Sequence, residues 1–410
     1  MLAAGEASGD LHGATLCRAL RSLAPGVRLH GMGGPRMAEA GMQVLVDVSA
    51  HAIVGGSEAL GGIPRLYRAY RRMVEALRAT PPPRALVLID FPEFNLRLAG
   101  AARRAGVPVV YFIPPQVWAW REGRVRTIAR RVTRVLAVFP FEAPLYRAAG
   151  VPVDFVGHPL VDGLTEAPPR AEARKRLGLP EDAPVLGLLP GSRAREIERL
   201  LPAMRDAALA MARERPGLRA VLALAPTVDR GLVQRLLAGA PGIALVERDT
   251  HAVMAAADLL LVASGTATLE AALLGTPMII CYRVSHLSYR LFLLLVRVSW
   301  IGLPNIVLGR PAAPELYQEN MTGARLAREA RRLLSDPAAL AAQRTAFAEL
   351  QGAFGPPGVG ARAARLVLRA AGIDLLGGGL RPPSEPPPGI APAKPALEEP
   401  VHARERRGVE

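Results

Sequence analysis

Runs of apolar residues without polar alternation punctuate the first half of the chain at Ala85–Ile89, Val107–Phe112, Val135–Phe139 and Val153–Val156. Such runs are expected of parallel strands buried on both faces. Between them, Ile63–Ala79 and Leu96–Ala105 carry apolar residues at helical spacing with arginines on the opposite face. After His158 and Pro159 the chain is polar and charged through Asp182, and the alternation then resumes at Val185–Leu189, Leu218–Leu224, Ile243–Val246, Leu259–Val262 and Met278–Tyr282. This repetition predicts an α/β protein of two Rossmann-like, doubly wound domains, 1–163 and 164–373. They are expected to face one another across a cleft, with ligands at the carboxyl ends of the strands and the last helix free to pack back on the first domain. Residues 374–410 are rich in Pro, Gly and charge without an apolar face, which predicts a disordered tail. Met1–Ala4 is short beside the usual strand of about five or six residues, which predicts a natural start further upstream.

Length adds that 410 residues exceed what one core usually serves. The most apolar stretch, Leu291–Leu308, contains Arg297, Gly302 and Pro304 and does not read as a spanning helix. The amino terminus carries Glu6 and Asp10 in place of a basic segment and an apolar core, so no secretory signal is expected and a cytoplasmic location follows. Cys17 and Cys281 alone provide neither a disulfide framework nor metal-ligand spacing and read as structural thiols. Lys and Arg number 51 against 36 Asp and Glu, a formal charge of +15 that favours anionic partners, although the excess of arginine also fits a compositional bias. The interleaved aromatic and basic pattern of a nucleic-acid surface is not evident, so nucleic acid is not an expected partner.

Candidate chemistry concentrates at strand ends. Leu189-Pro190-Gly191-Ser192-Arg193 follows the first strand of the second half and precedes a helical run with Glu196. A strand, a glycine turn and a helix start leave backbone N–H groups where they can hold a phosphate, which makes Gly191 and Ser192 candidate ligand-binding residues. The planar fork of Arg193 suits a diphosphate and would stabilise charge on a departing nucleotide. An ordinary strand-to-helix connection with a surface arginine has the same sequence. Ser264-Gly265-Thr266 is a second such turn, and Glu270 beyond it could accept both hydroxyls of a ribose. The alternative is that Ser264 or Thr266 merely caps a helix whose dipole Glu270 complements.

Glu6, in Gly5-Glu6-Ala7-Ser8-Gly9-Asp10, stands at the first strand-to-helix turn and is expected to point into the cleft, unless it is a solvated turn residue. Asp90 ends the strand Ala85–Ile89 and is the preferred general base, with an Asx cap around Pro92 as the alternative. Glu93, three positions on, is less suited. Trp118 and Trp120 follow a strand and could form a cleft wall for a sugar or acyl chain, or fill the core. His12 and His158 lack spaced partners and read as structural. Asn305 and Gln318 flank Gly309-Arg310-Pro311 and could bind sugar or phosphate.

In this order the motifs Gly5–Asp10, Ile89–Asn95, Val117–Arg121, Phe139–Glu142, Gly157-His158, Leu189–Arg193, Ser264–Glu270 and Leu303–Asn305 resemble the lipid-A-disaccharide synthases, glycosyltransferases of the GT-B arrangement, over about Ala4 to Ile373. The resemblance implies an acceptor-side first domain and a UDP-sugar-binding second domain. It implies that UDP-2,3-diacylglucosamine and 2,3-diacylglucosamine 1-phosphate are condensed to a β-1,6-linked disaccharide phosphate and UDP. By resemblance Glu6, Asp90, Arg193 and Asn305 are catalytic. No cofactor and no metal are implied. Peripheral association with the cytoplasmic face of the inner membrane is implied, through Leu291–Trp300 with Tyr289 and Arg290, unless that segment packs in the core or in a homodimer. Glu93 and Pro115-Gln116 depart from residues common at those positions.

Overall fold

The computed structural model describes residues 1–48, 59–117, 123–285, 289 and 299–373. The described residues divide into two compact units, Met1–Asp162 with Phe354–Ile373, and Gly163–Ala353.

The first unit holds a seven-stranded parallel sheet of β1 (Leu2–Ala4), β2 (His30–Gly33), β3 (Gln43–Asp47), β4 (Leu86–Ile89), β5 (Val109–Phe112), β6 (Arg134–Ala137) and β7 (Val153–Phe155), in the order β3-β2-β1-β4-β5-β6-β7. Crossover helices include α1 (Ala7–Leu23), α2 (Pro35–Glu39), α3 (Ala59–Leu77), α4 (Pro92–Arg104) and α5 (Gly123–Arg131). One core joins Leu86, Leu88 and Tyr111 of the sheet to Met73, Leu98 and Ile128 of the helices. Strand limits follow donor supply. The apolar run at Val135–Phe139 leaves the sheet after Ala137, and Glu142, at the start of α6 (Glu142–Ala148), accepts the N–H groups of Val138 and Phe139 at 3.2 and 3.1 Å. Helix α4 starts four residues before the expected Leu96, because Pro92 supplies a preset φ at its first turn. The last helix, Val359–Ala370, belongs to this unit and packs on α1. Asp162 accepts the N–H groups of Gly358, Val359 and Gly360 at 2.6, 3.1 and 2.9 Å, capping that helix.

The second unit repeats the winding with β8 (Val185–Leu189), β9 (Arg219–Leu224), β10 (Ile243–Glu247), β11 (Leu259–Ala263), β12 (Met278–Tyr282) and β13 (Glu315–Tyr317), in the order β10-β9-β8-β11-β12-β13. Neighbouring strands of this sheet pair in parallel throughout. Among its helices, α7 (Ala194–Glu214) buries Leu200, Leu201, Met204 and Met211 against this sheet. Buried Arg174 pairs with Asp258 at 2.9 Å, and Asp258 also accepts the Val185 N–H at 2.8 Å, tying the start of β8 to the segment before it.

Candidate active site

In each sheet the winding reverses between two neighbouring strands, β1 and β4 in one and β8 and β11 in the other. Crossovers leave these neighbours toward opposite edges, so the turns after them open side by side at the carboxyl end, where α/β folds bind ligands. Ala4 stands opposite Ile89, and Leu189 opposite Val262. The four motif-bearing turns at Glu6, Asp90, Gly191 and Ser264 are therefore two adjacent pairs, one pair in each unit.

In the first unit, Glu6 is the N-cap of α1 with extended backbone, φ −139° and ψ 167°, and its side chain makes no capping bond. Asp10 of the same motif is buried and accepts the N–H groups of Gly34, Arg36 and Met37 at 2.8, 3.1 and 3.1 Å, so it caps α2. Asp90 and Phe91 both lie in the left-handed region, at φ 49° and 47°. Such conformations cost on the order of 1–3 kcal/mol each for ordinary side chains and persist where surroundings over-determine them. Here the buried Asn95 amide donates to the carbonyls of Ala3, Ile89 and Asp90 at 3.2, 3.2 and 2.7 Å. The Tyr111 hydroxyl donates to the Asp90 carbonyl at 2.9 Å. Phe91 lays its ring over Gly5, where a Cβ would come within 2.0 Å of a ring carbon, so glycine is required. Burial pushes the Asp90 carboxyl up to about 6, and the Glu6 charge adds to it, partly opposed by the Phe91 N–H. A carboxyl at that value is suited to accept a proton near neutral pH.

The paired turns of the second unit differ in character. Gly191 and Gly265 adopt φ 119° and 154°, values that admit glycine readily. Ser192, Arg193, Gly265 and Thr266 are exposed or partly exposed, and Arg193 is the N-cap of the 21-residue α7. Its guanidinium has no ion-pair partner among the described residues. The expectation of an open phosphate cradle at Ser192 is modified: Glu196 folds back, and its carboxylate accepts the Ser192 N–H at 3.0 Å. The Ser192 carbonyl accepts from the Thr227 hydroxyl at 2.7 Å. In the neighbouring turn Ser264 donates its hydroxyl to the Ile301 carbonyl at 3.0 Å, and Gly265 leaves open space where a Cβ would stand. Glu270, in the helix that opens at Thr266, meets His251 Nε2 at 3.2 Å. This hydrogen bond raises the His251 pKa, against an opposing effect of burial. His251 carries no signal in the sequence, because its partner lies 19 residues away in another helix.

Comparison with known proteins decides the family. A family profile described as lipid-A-disaccharide synthetase matches residues 1–351. The lipid-A-disaccharide synthase of Geobacter sulfurreducens is 45% identical over 376 residues, covering 92% of this chain and 98% of that protein. That of Myxococcus xanthus is 44% identical over 370 residues, covering 90% and 96%. The chain belongs to the lipid-A-disaccharide synthase family. It is accordingly a glycosyltransferase of lipid A biosynthesis. Its fold is shared with Acinetobacter baumannii MurG, at a TM-score of 0.56 and 15% identity over 90% of this chain and 98% of that one. It is shared also with the Staphylococcus aureus MnaA–UDP structure, at a TM-score of 0.62 and 13% identity over 91% and 97%.

Two further candidates in this synthase-family chain are turned inward. Asn305 is fully buried: its amide nitrogen donates to the Ala313 carbonyl and to Glu315, each at 2.8 Å, and its oxygen accepts the Ala313 N–H at 2.8 Å. Both amide hydrogens are committed within the chain, so in this arrangement direct substrate contact gives way to holding the loop. Glu315 also accepts the N–H groups of Ile301 and Gly302 at 2.9 Å each, and Ile301 accepts from Ser264. Asn305 is thus linked to the Ser264 turn by a continuous hydrogen-bonded path. Gln318, buried at φ 51°, clamps the Val284 backbone through its oxygen at 2.8 Å and its nitrogen at 3.3 Å. Glu93 forms an ion pair with Arg124. Trp118 and Trp120, most of Leu291–Trp300, and the tail 374–410 lie outside the described residues. Among the described residues no cluster of three potential metal ligands occurs, and no helix is long and apolar enough to cross a membrane. His158 is buried against Phe139 and Phe354, with ring centroids at 5.1 and 5.3 Å, and burial lowers its pKa to about 3.

Proposed function

We propose that this chain is an inverting transferase that condenses UDP-2,3-diacylglucosamine with 2,3-diacylglucosamine 1-phosphate. The acceptor's 6-hydroxyl attacks the donor's anomeric carbon, forming the new C–O bond as the bond to the UDP phosphate oxygen breaks. Asp90 takes the hydroxyl proton, and UDP leaves with the electron pair of the broken bond. One displacement inverts the α configuration of the donor to β in the product. The observation that carries the reading is Asp90, a desolvated carboxyl at about 6 beside a second acid at the winding reversal of the first sheet. Glu6 helps keep that carboxyl basic through its charge and faces the acceptor.

In the second unit Gly191, Ser192 and Arg193 hold the donor diphosphate with Gly265 and Thr266, while Glu270 accepts ribose hydroxyls. Supporting this half is the fold likeness to proteins whose structures carry UDP or UDP-GlcNAc, MnaA and the Neisseria meningitidis UDP-GlcNAc 2-epimerase. Asn305 and Gln318 support the donor turns, and Trp118 lines the path of the sugar or acyl chain. The reading needs neither cofactor nor metal, because Arg193 and helix dipoles neutralise the leaving group. Both substrates carry acyl chains, so the enzyme works at the cytoplasmic face of the inner membrane, held by its basic charge and by Leu291–Trp300.

A second reading, a UDP-sugar 2-epimerase, takes its support from the fold likeness to the Neisseria meningitidis UDP-GlcNAc 2-epimerase. UDP release is to be measured from the purified chain with UDP-2,3-diacylglucosamine alone, with added glucosamine 1-phosphate, and with its 2,3-diacyl form. Release that requires the diacyl acceptor supports the transferase. Release without acceptor replaces it by the epimerase reading.

A further inference from the structure

The backbone beneath Asp90 is restrained more heavily than a strand end requires. Its carbonyl receives two donors from different elements, the Asn95 amide of α4 at 2.7 Å and the Tyr111 hydroxyl of β5 at 2.9 Å. The same Asn95 nitrogen reaches the carbonyls of Ala3 and Ile89, the adjacent ends of β1 and β4. Both side chains are fully buried. Turning the amide this way leaves Asn95 Oδ1 buried with no hydrogen-bond partner among the described residues. Rotating it by half a turn would instead place that oxygen against three carbonyl oxygens. An apolar residue of similar size would avoid the buried unpaired acceptor, so the polar side chain here answers to the carbonyls.

The carbonyls in question surround the two left-handed residues, Asp90 and Phe91. A free Asp90 would relax toward the ordinary right-handed or extended regions, and its carboxyl would swing with the backbone. We propose that Asn95 and Tyr111 are positioning residues that lock Asp90 in its left-handed conformation and so hold its carboxylate in the partly buried, base-competent orientation. The proposal rests on Asp90 being the base.

The groups that bear on this carboxyl are Glu6 from the turn after β1, Glu93 from α4 and the Tyr111 phenol from β5, with Arg124 of α5 paired to Glu93. Tyr111→Phe removes one hydroxyl from the core and keeps the ring, so it tests the lock with little disturbance. Released from the lock, the carboxylate turns toward water and its pKa falls toward the ordinary range. The expected result is a fall in kcat of about tenfold with KM for both substrates within about twofold, since misorientation of a general base acts on the chemical step. The acidic limb of the kcat–pH profile moves to lower pH, while the thermal midpoint shifts by only a few degrees.

Asn95→Ala should change kcat and the acidic limb in the same directions and more strongly. Should that variant not fold, Tyr111→Phe decides the matter alone. A Tyr111→Phe enzyme with unchanged kcat and an unmoved acidic limb, or with the loss confined to KM, overturns the proposal. Asp90→Asn is assayed alongside. If it stays active, the base assignment itself fails. If it is inactive while Tyr111→Phe behaves as wild type, only the lock fails.

Discussion

The two winding reversals of this molecule share a topology and differ in almost everything else. In the first unit the turn after β4 is dense: Asp90 and Phe91 are held in strained conformations by buried Asn95 and Tyr111, and burial raises the carboxyl to about 6. In the second unit the turns after β8 and β11 are open: Gly191 and Gly265 take positive φ without a side chain, and Ser192 and Arg193 are exposed. Under the proposed assignment, proton transfer and anion binding ask opposite things of the same architecture. Desolvation raises a carboxylate base toward neutrality, whereas a diphosphate site needs an accessible cation such as Arg193 and donors that the anion can take over, here the Ser192 N–H held by Glu196.

Replacing Asp90, the proposed base, carries the largest expected effect. Asp90→Asn should lower kcat by about 10²–10⁴, the usual contribution of a positioned base. The same change should stabilise the fold at pH 8. The folded carboxyl, at about 6 against an ordinary 3.8, binds more protons than the unfolded one between those values, so its contribution to stability declines as pH rises through that window. Removing the ionised group recovers about 3 kcal/mol at pH 8 and little below pH 4, which thermal melts of the two proteins at both pH values would check.

Arg193→Ala is the next largest effect, expected to weaken UDP binding by about tenfold to a hundredfold with an unchanged thermal midpoint, because the side chain is exposed and unpaired among the described residues. Calorimetric titration with UDP and a thermal melt measure the two arms. Glu196→Gln should act oppositely, tightening UDP about fivefold at low salt, since the carboxylate on the Ser192 N–H competes with a phosphate for the same donor. An unchanged affinity would mean that the diphosphate lies elsewhere on the turn. The smallest effect concerns His251, whose pKa is raised by Glu270. The pair should stabilise the fold fully below the ordinary histidine value and lose its contribution as pH rises through the raised one. A His251→Gln variant should therefore melt earlier than wild type at pH 6 and together with it at pH 9.

Much of this was legible beforehand where the signal is local. Val185–Leu189 and Met278–Tyr282 are strands with the limits that their apolar runs announce. β2, β3 and β13 were not: His-Gly-Met-Gly and the three-residue Glu315–Tyr317 lack an apolar run, the run in half-exposed Gln43–Asp47 is only Val44–Val46, and pairing with neighbouring strands makes them strands. Asn305 and Gln318 were visible as polar residues in a late loop, but their burial was not, since it depends on Glu315, Ala313 and Val284 folding over them.

Short segments of the chain dictate the two α/β halves, the glycine turns at the ends of β8 and β11, the acids at Glu6 and Asp90, and the family to which they belong. Apolar runs and residues that tolerate tight turns set these features without help from distant groups. The folded arrangement alone brings Glu6 beside Asp90, sets Glu196 on a donor of its own turn, joins His251 to Glu270, and closes Asn95 and Tyr111 on one carbonyl. Glu196 and Asn95 lie within four and five residues of their partners, yet only the folded turn sets their direction, whereas Glu6 beside Asp90, His251 on Glu270 and Tyr111 on the Asp90 carbonyl depend on groups brought together from separate segments.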